Sequence, residues 1–155
     1  MRARSLCWAL LLLLCNGLAL AQEAPGTKQE AVALVGRALA HVREVGLEQA
    51  LQDINAPDSA FRDRDLYVFV YDFNGTNLAN AAPTATPGSN LKDYRSEDGK
   101  LVIQQMIEMS RTHGGGAFEY SWLNPQTGRP QQKISYFKRI PDANAFLGVG
   151  YYKPE

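Results

Sequence analysis

Cysteine is scarce in this chain, and both examples, Cys7 and Cys15, stand within the first 15 residues. If that segment is removed, the remaining chain has no disulfide, no thiolate nucleophile and no cysteine-bound metal. Histidine is as rare. His41 and His113 are the only two, far apart and without an accompanying acid pattern such as His-Glu-x-x-His, so no metal motif is present. Both read as surface or helix-end residues. Charge of one sign is also missing: 16 basic residues face 16 acidic ones, and without Arg2 and Arg4 the balance is 14 against 16. A nucleic-acid or anionic-membrane surface would need a basic excess, so neither partner is expected. There is no Gly-x-Ser-x-Gly elbow around Ser89, and Gly114-Gly115-Gly116 has no Lys-Ser pair or following helix to make a phosphate loop. Asp63, Asp65, Asp93 and Asp98 would be the raw material for an acid and base pair, but carboxylates in loops and caps are common without that role. No enzyme chemistry, cofactor or metal is therefore expected.

Long apolar runs are absent except at the start. Arg2 and Arg4 precede an apolar stretch from Leu6 to Leu14, and Ala19-Leu20-Ala21 offers a small-x-small cleavage site. This reads as a signal peptide over 1–21. A membrane anchor is the competing reading, but Asn16 and Gly17 interrupt a run already shorter than the roughly 20 residues that span a bilayer. Leu12 to Leu14 before Cys15 do not suit lipid attachment. The expectation is an exported protein, periplasmic or secreted, with a short tether over 22–26 and one domain over 27–155. A chain of that length buries enough surface to fold without staples.

Thr27 and Glu30 have capping-box spacing, and Val32, Val35, Leu39 and Val42 come next at steps of three and four. Leu47, Ala50, Leu51 and Ile54 resume the pattern after Gly46, which either bends one long helix or separates two. The period then changes. Residues 66–71 alternate Leu66, Val68 and Val70 with Tyr67, Phe69 and Tyr71, a strand covered on both faces. Asn74-Gly75 is a hairpin turn, 77–79 the returning strand, and 80–90 a loop long enough to serve binding. A second helix is expected over 97–113, capped by Ser96 or Asp98. Strands are expected over 118–122, 132–139 and 146–152, and in the last of them Gly148 and Gly150 leave a bare face for another group. The order helix, hairpin, helix and three strands gives an α+β domain on an antiparallel sheet.

The aromatic residues concentrate on these strands, and most of them read as core. The remainder, with Tyr71, Tyr120 and Trp122 as candidates, would give a pocket apolar walls and hydrogen-bond donors. Lys133 stands mid-strand. Facing inward it must find an anion; facing outward it is merely solvated. Ser135 shares its face, and Lys138 lies on the other.

The stretch from Asp65 to Asp72, with Asn74-Gly75, Leu78-Ala79, Gly88-x-Asn90-Leu91, Asp98-Gly99, Gly114-Gly115-Gly116, Phe118-x-Tyr120-x-Trp122, Lys133-Ile134-Ser135-Tyr136 and Gly148-x-Gly150-x-Tyr152, resembles the single Cache domain of bacterial chemoreceptors and sensor histidine kinases. The resemblance covers about 27–152. It implies a long amino-terminal helix packed on a PAS-like antiparallel sheet, with a pocket between the sheet and its crossing loops. It implies, too, sensing of a small solute, often a short organic acid, outside the cell. On that basis the ligand-binding residues expected are Tyr71, Asn80, Tyr120, Trp122, Lys133 and Ser135. Asn80 stands where the family often has histidine, which implies a neutral hydrogen bond to the ligand. Cache modules usually sit between transmembrane helices and feed a transmitter. Here the sequence ends at Glu155 with neither, so the expected partner is a membrane receptor or kinase acting in trans. The alternatives are an envelope protein-interaction domain without a small ligand and, more remotely, an enzyme of unrecognised type.

Overall fold

The hydroxyl of Thr27 accepts from the Glu30 N–H at 3.3 Å, while the Glu30 carboxylate accepts from the Thr27 N–H at 2.8 Å. This reciprocal box satisfies free amides and starts helix α1, Lys28–Val45, in the computed structural model, which describes residues 23–154. The leader expected over 1–21 lies outside the described residues. At Gly46 a positive φ of 83° stops α1, and α2 comes next as a separate helix, Leu47–Asn55. The glycine thus separates two helices. His41 on α1 meets Asp53 on α2 at 2.7 Å and tilts against the Phe61 ring, which fixes the corner between them.

The buried stripe of α1 is Ala31, Leu34, Val35, Ala38 and Val42. Val32, expected on the apolar face, is 46% exposed. Alanines at 31 and 38 let the helix lie close to the sheet, and that contact, rather than the largest side chains, sets which face turns inward.

Among the described residues six strands form the sheet: β1 (Arg62–Asp63), β2 (Leu66–Asp72), β3 (Asn77–Asn80), β4 (Gly115–Asn124), β5 (Arg129–Arg139) and β6 (Ala145–Tyr152). The order is β1-β2-β6-β5-β4, with β3 also pairing with β2, and every pairing is antiparallel. This is the PAS-like antiparallel sheet expected for an α+β domain. The third helix, α3, is Val102–His113 and starts five residues later than the sequence suggested. Ser96 and Asp98 do not cap it. They belong to a turn in which the Ser96 N–H donates to the Lys100 carbonyl and the Gly99 N–H to that of Ser96. Gly114 ends α3 in the left-handed region, and β4 begins at the next residue.

Register sorts the sheet into two faces. Val68 opposes Val149 and Val70 opposes Leu147 on the face that α1 covers. On the other face Phe69 opposes Gly148, Tyr71 opposes Phe146, Ser135 opposes Gly150, and Lys133 lies between Tyr120 and Tyr152. The loop after β3 folds over this second face. It is tied down by the Asn77 N–H donating to the Ser89 carbonyl (2.8 Å), the Gly88 N–H to that of Asn77 (2.7 Å) and the Leu91 N–H to that of Gly75 (2.9 Å).

Candidate functional site

Alternation on β5 sends Lys133, Ser135 and Phe137 to the face away from α1, and all three are buried. Lys133 is only 1% exposed. Its stem runs over β6 where Gly150 has no side chain; a Cβ there would collide with Lys133 Cε and Ser135 Oγ. The bare face left by the glycines therefore has an occupant, and the group it admits is the lysine. Gly148 does the same for the Phe69 ring.

The ammonium ends among aromatic rings. Lys133 Nζ lies 3.9 Å from the Tyr67 ring centroid, 5.1 Å from that of Tyr152 and 5.7 Å from that of Phe69. No carboxylate forms a salt bridge with it among the described residues. Burial pushes its pKa down, and Tyr67 and the field of Asp65 oppose that shift. Asp65 is itself buried; its Oδ1 accepts from the Gly26 N–H at 2.7 Å, while its Oδ2 has no hydrogen-bond partner among the described residues. Cation–π contacts contribute about 2 kcal/mol when desolvated, well short of what taking an ammonium out of water costs.

Lys133 forms the floor of a small chamber of ≈ 10 Å³, walled by Tyr71, Asn80, Tyr120 and Trp122 and roofed by Ile103 and Met106 of α3. That is room for about one water-sized group. Tyr67, Tyr71, Asn80 and Trp122 also belong to the wall of an outer cleft of ≈ 230 Å³, which reaches Asn77, the loop residues Ala82, Thr84, Ala85 and Thr86, Leu91 and the half-exposed rim residue Tyr94. The two spaces meet at the shared residues. Of the six residues expected to bind ligand, Tyr71, Asn80, Tyr120, Trp122 and Lys133 converge here. Ser135 lies beneath them, with its hydroxyl 2.8 Å from the Tyr120 hydroxyl, and does not line either space. Burial raises the pKa values of Tyr71 and Tyr120, so both phenols stay protonated donors.

The sequence reading missed Tyr67 and Asn77. Tyr67 stands four residues before Tyr71 on the same strand and was legible as sharing its face; Asn77 comes to the cleft through a bulge in the β2–β3 pairing, which no local pattern announces. A larger groove of ≈ 550 Å³ lies on the other side of the sheet, between Val32, Leu39, Ala117 and Tyr136. It is more apolar and contains no buried charge, so nothing there calls for a particular ligand.

Known proteins agree with this architecture. Residues 37–154 match the Cache domain family. The sensor histidine kinase MctS of Rhizobium johnstonii is 33% identical over 89 residues, 57% of this chain and 19% of the kinase, so the matched segment spans about a fifth of that relative. A methyl-accepting chemotaxis protein from Vibrio parahaemolyticus superposes with a TM-score of 0.68 at 24% identity, over 81% of this chain and 87% of that one. A structure described as the basis for carboxylic acid recognition by a Cache chemosensory domain gives 0.67 at 20% identity, over 81% and 92%. The family and the fold are those of sensor and ligand-binding domains. With the helix on one face of the sheet, the loop-covered cleft on the other, and the match over residues 37–154, the chain belongs to the Cache domain family.

Proposed function

We propose that this chain is an exported binding module for a small organic acid, working with a signalling or transport partner in trans. One observation carries the reading: Lys133 presents a buried ammonium at the base of a chamber with no carboxylate bridging it among the described residues. A carboxylate oxygen entering the chamber would supply the missing charge, and the Tyr71 hydroxyl and Asn80 would hold it in place. The carboxylic acid recognition named for a structural neighbour supports the same ligand class. Export rests on the leader pattern over 1–21, and a receptor or kinase as partner rests on the chemotaxis and kinase relatives. No described helix is long and apolar enough to cross a membrane.

Size limits affinity. At a ceiling of about 1.5 kcal/mol per heavy atom, a six-atom acid reaches roughly 9 kcal/mol, so dissociation constants near micromolar or weaker are expected. A thermal-shift screen of short carboxylates against amines of matched length tests the class. Carboxylates should raise the melting temperature in a concentration-dependent way and amines should not. Stabilisation by amines alone would contradict the reading.

A further inference from the structure

Charge is distributed unevenly between the two spaces of the site. Among the described residues that line them, Lys133 is the only one with a charged side chain, and it belongs to the inner chamber alone. The chamber, at ≈ 10 Å³, has room for one carboxylate oxygen beside that ammonium, so whatever follows the acid lies in the outer cleft. The cleft wall is neutral: it carries the rings of Tyr71, Tyr94 and Trp122, the apolar Leu91, and the loop hydroxyls of Thr84 and Thr86. Arg62 touches the covering loop, but its guanidinium donates to the carbonyls of Ala81 (3.2 Å) and Pro57 (3.0 Å) and it lines neither space.

A neutral wall can hydrogen-bond a second ionic group but supplies no counter-charge in exchange for the water that group loses. A carboxylate at the far end of a four-carbon chain would lie among rings and hydroxyls with no cation to meet. An ammonium at the same place meets no carboxylate, since no aspartate or glutamate lines either space. On the carbon next to the acid an ammonium is placed worse still, because it is held close to Lys133 Nζ and repelled by it. An uncharged tail loses little on entering and gains contact with the rings. Resting on the reading of Lys133 as the carboxylate anchor, we propose that the site is specific for monocarboxylates with uncharged tails and discriminates against dicarboxylates and amino acids. Selection is exercised by the cleft wall and not by the anchor, which meets the same carboxylate in every case.

Calorimetry of the purified protein with butanoate, succinate, 4-aminobutanoate and 2-aminobutanoate tests this, because the four acids share one chain length and differ in charge. Butanoate should bind about tenfold or more tightly than each of the other three. Thr84 is exposed on the covering loop and lines the cleft, so Thr84→Lys adds a cation to the wall without entering the core. In that variant the gap between butanoate and succinate should narrow several-fold. Succinate or either amino acid binding the wild-type protein as tightly as butanoate overturns the selection and leaves Lys133 as the acid anchor. Binding of none of the four removes the anchor and the inference together. The wild-type comparison needs no variant, so a failure of Thr84→Lys to fold does not obscure the result.

Discussion

Lys133 is the residue in which stability and the proposed function pull apart. Its pKa in the folded chain is lowered by burial from the ordinary 10.5, so between those two values the unfolded chain holds a proton that the folded chain has released. Stability therefore rises with pH across that window, and below it the folded protein bears the full cost of a buried ammonium. Tyr71, Tyr120 and Tyr152 have pKa values raised by burial, so above about pH 10 their unfolded counterparts ionise first and stability falls again. Lys133→Met keeps the stem and removes the charge. It should melt about 3 °C or more above the wild type at pH 7, with the gap narrowing as pH rises through the lysine window. Melting curves across pH for the two proteins check this. A less stable Met variant at neutral pH would mean that the ammonium is better compensated by Tyr67 and its neighbours than the geometry indicates.

At the scale of elements, the glycines of β6 and the helix α1 make opposite predictions for the same substitution. Gly150→Ala puts a methyl group into Lys133 and Ser135 and should cost about 1–3 kcal/mol while weakening ligand binding. Gly36→Ala lies mid-helix with open space around it and should stabilise by about 0.5–1 kcal/mol without touching the site. Denaturant unfolding of both variants decides. A harmless Gly150→Ala would show that the lysine stem has another path. The alternation around those glycines, and the sharing of one face by Lys133 and Ser135, were legible in the sequence because strand period is a local property. The start of α3 was not. Ser96 and Asp98 are good capping residues, and only the turn closed by Gly99 and Lys100 shows that their hydrogen bonds are already used before the helix begins. The two-residue strand β1 gave no pattern to read, and Val32 was placed on the wrong face because periodicity cannot tell which stripe the sheet will meet. The cleft itself depends on strand register and on where the 81–91 loop is pinned, neither of which is written in any single segment.

For the whole molecule, the sheet divides labour between its faces. One is closed by α1 with aliphatic packing; the other carries α3, the aromatic chamber and the loop-covered cleft, and concentrates the buried polar residues Tyr67, Tyr120, Lys133, Ser135 and Tyr152. Lys133 is buried at the floor of the chamber, and on the proposed reading the ligand's carboxylate is what neutralises it. The most direct test is calorimetric titration of a short carboxylate into the wild-type protein, Lys133→Ala and Lys138→Ala, with circular dichroism to establish that all three are folded. Lys138 is exposed on the opposite face of the same strand, which makes it the matched control. Binding lost in Lys133→Ala and kept in Lys138→Ala is the predicted result; equal binding by the wild type and Lys133→Ala would contradict the assignment of Lys133 as the anchor.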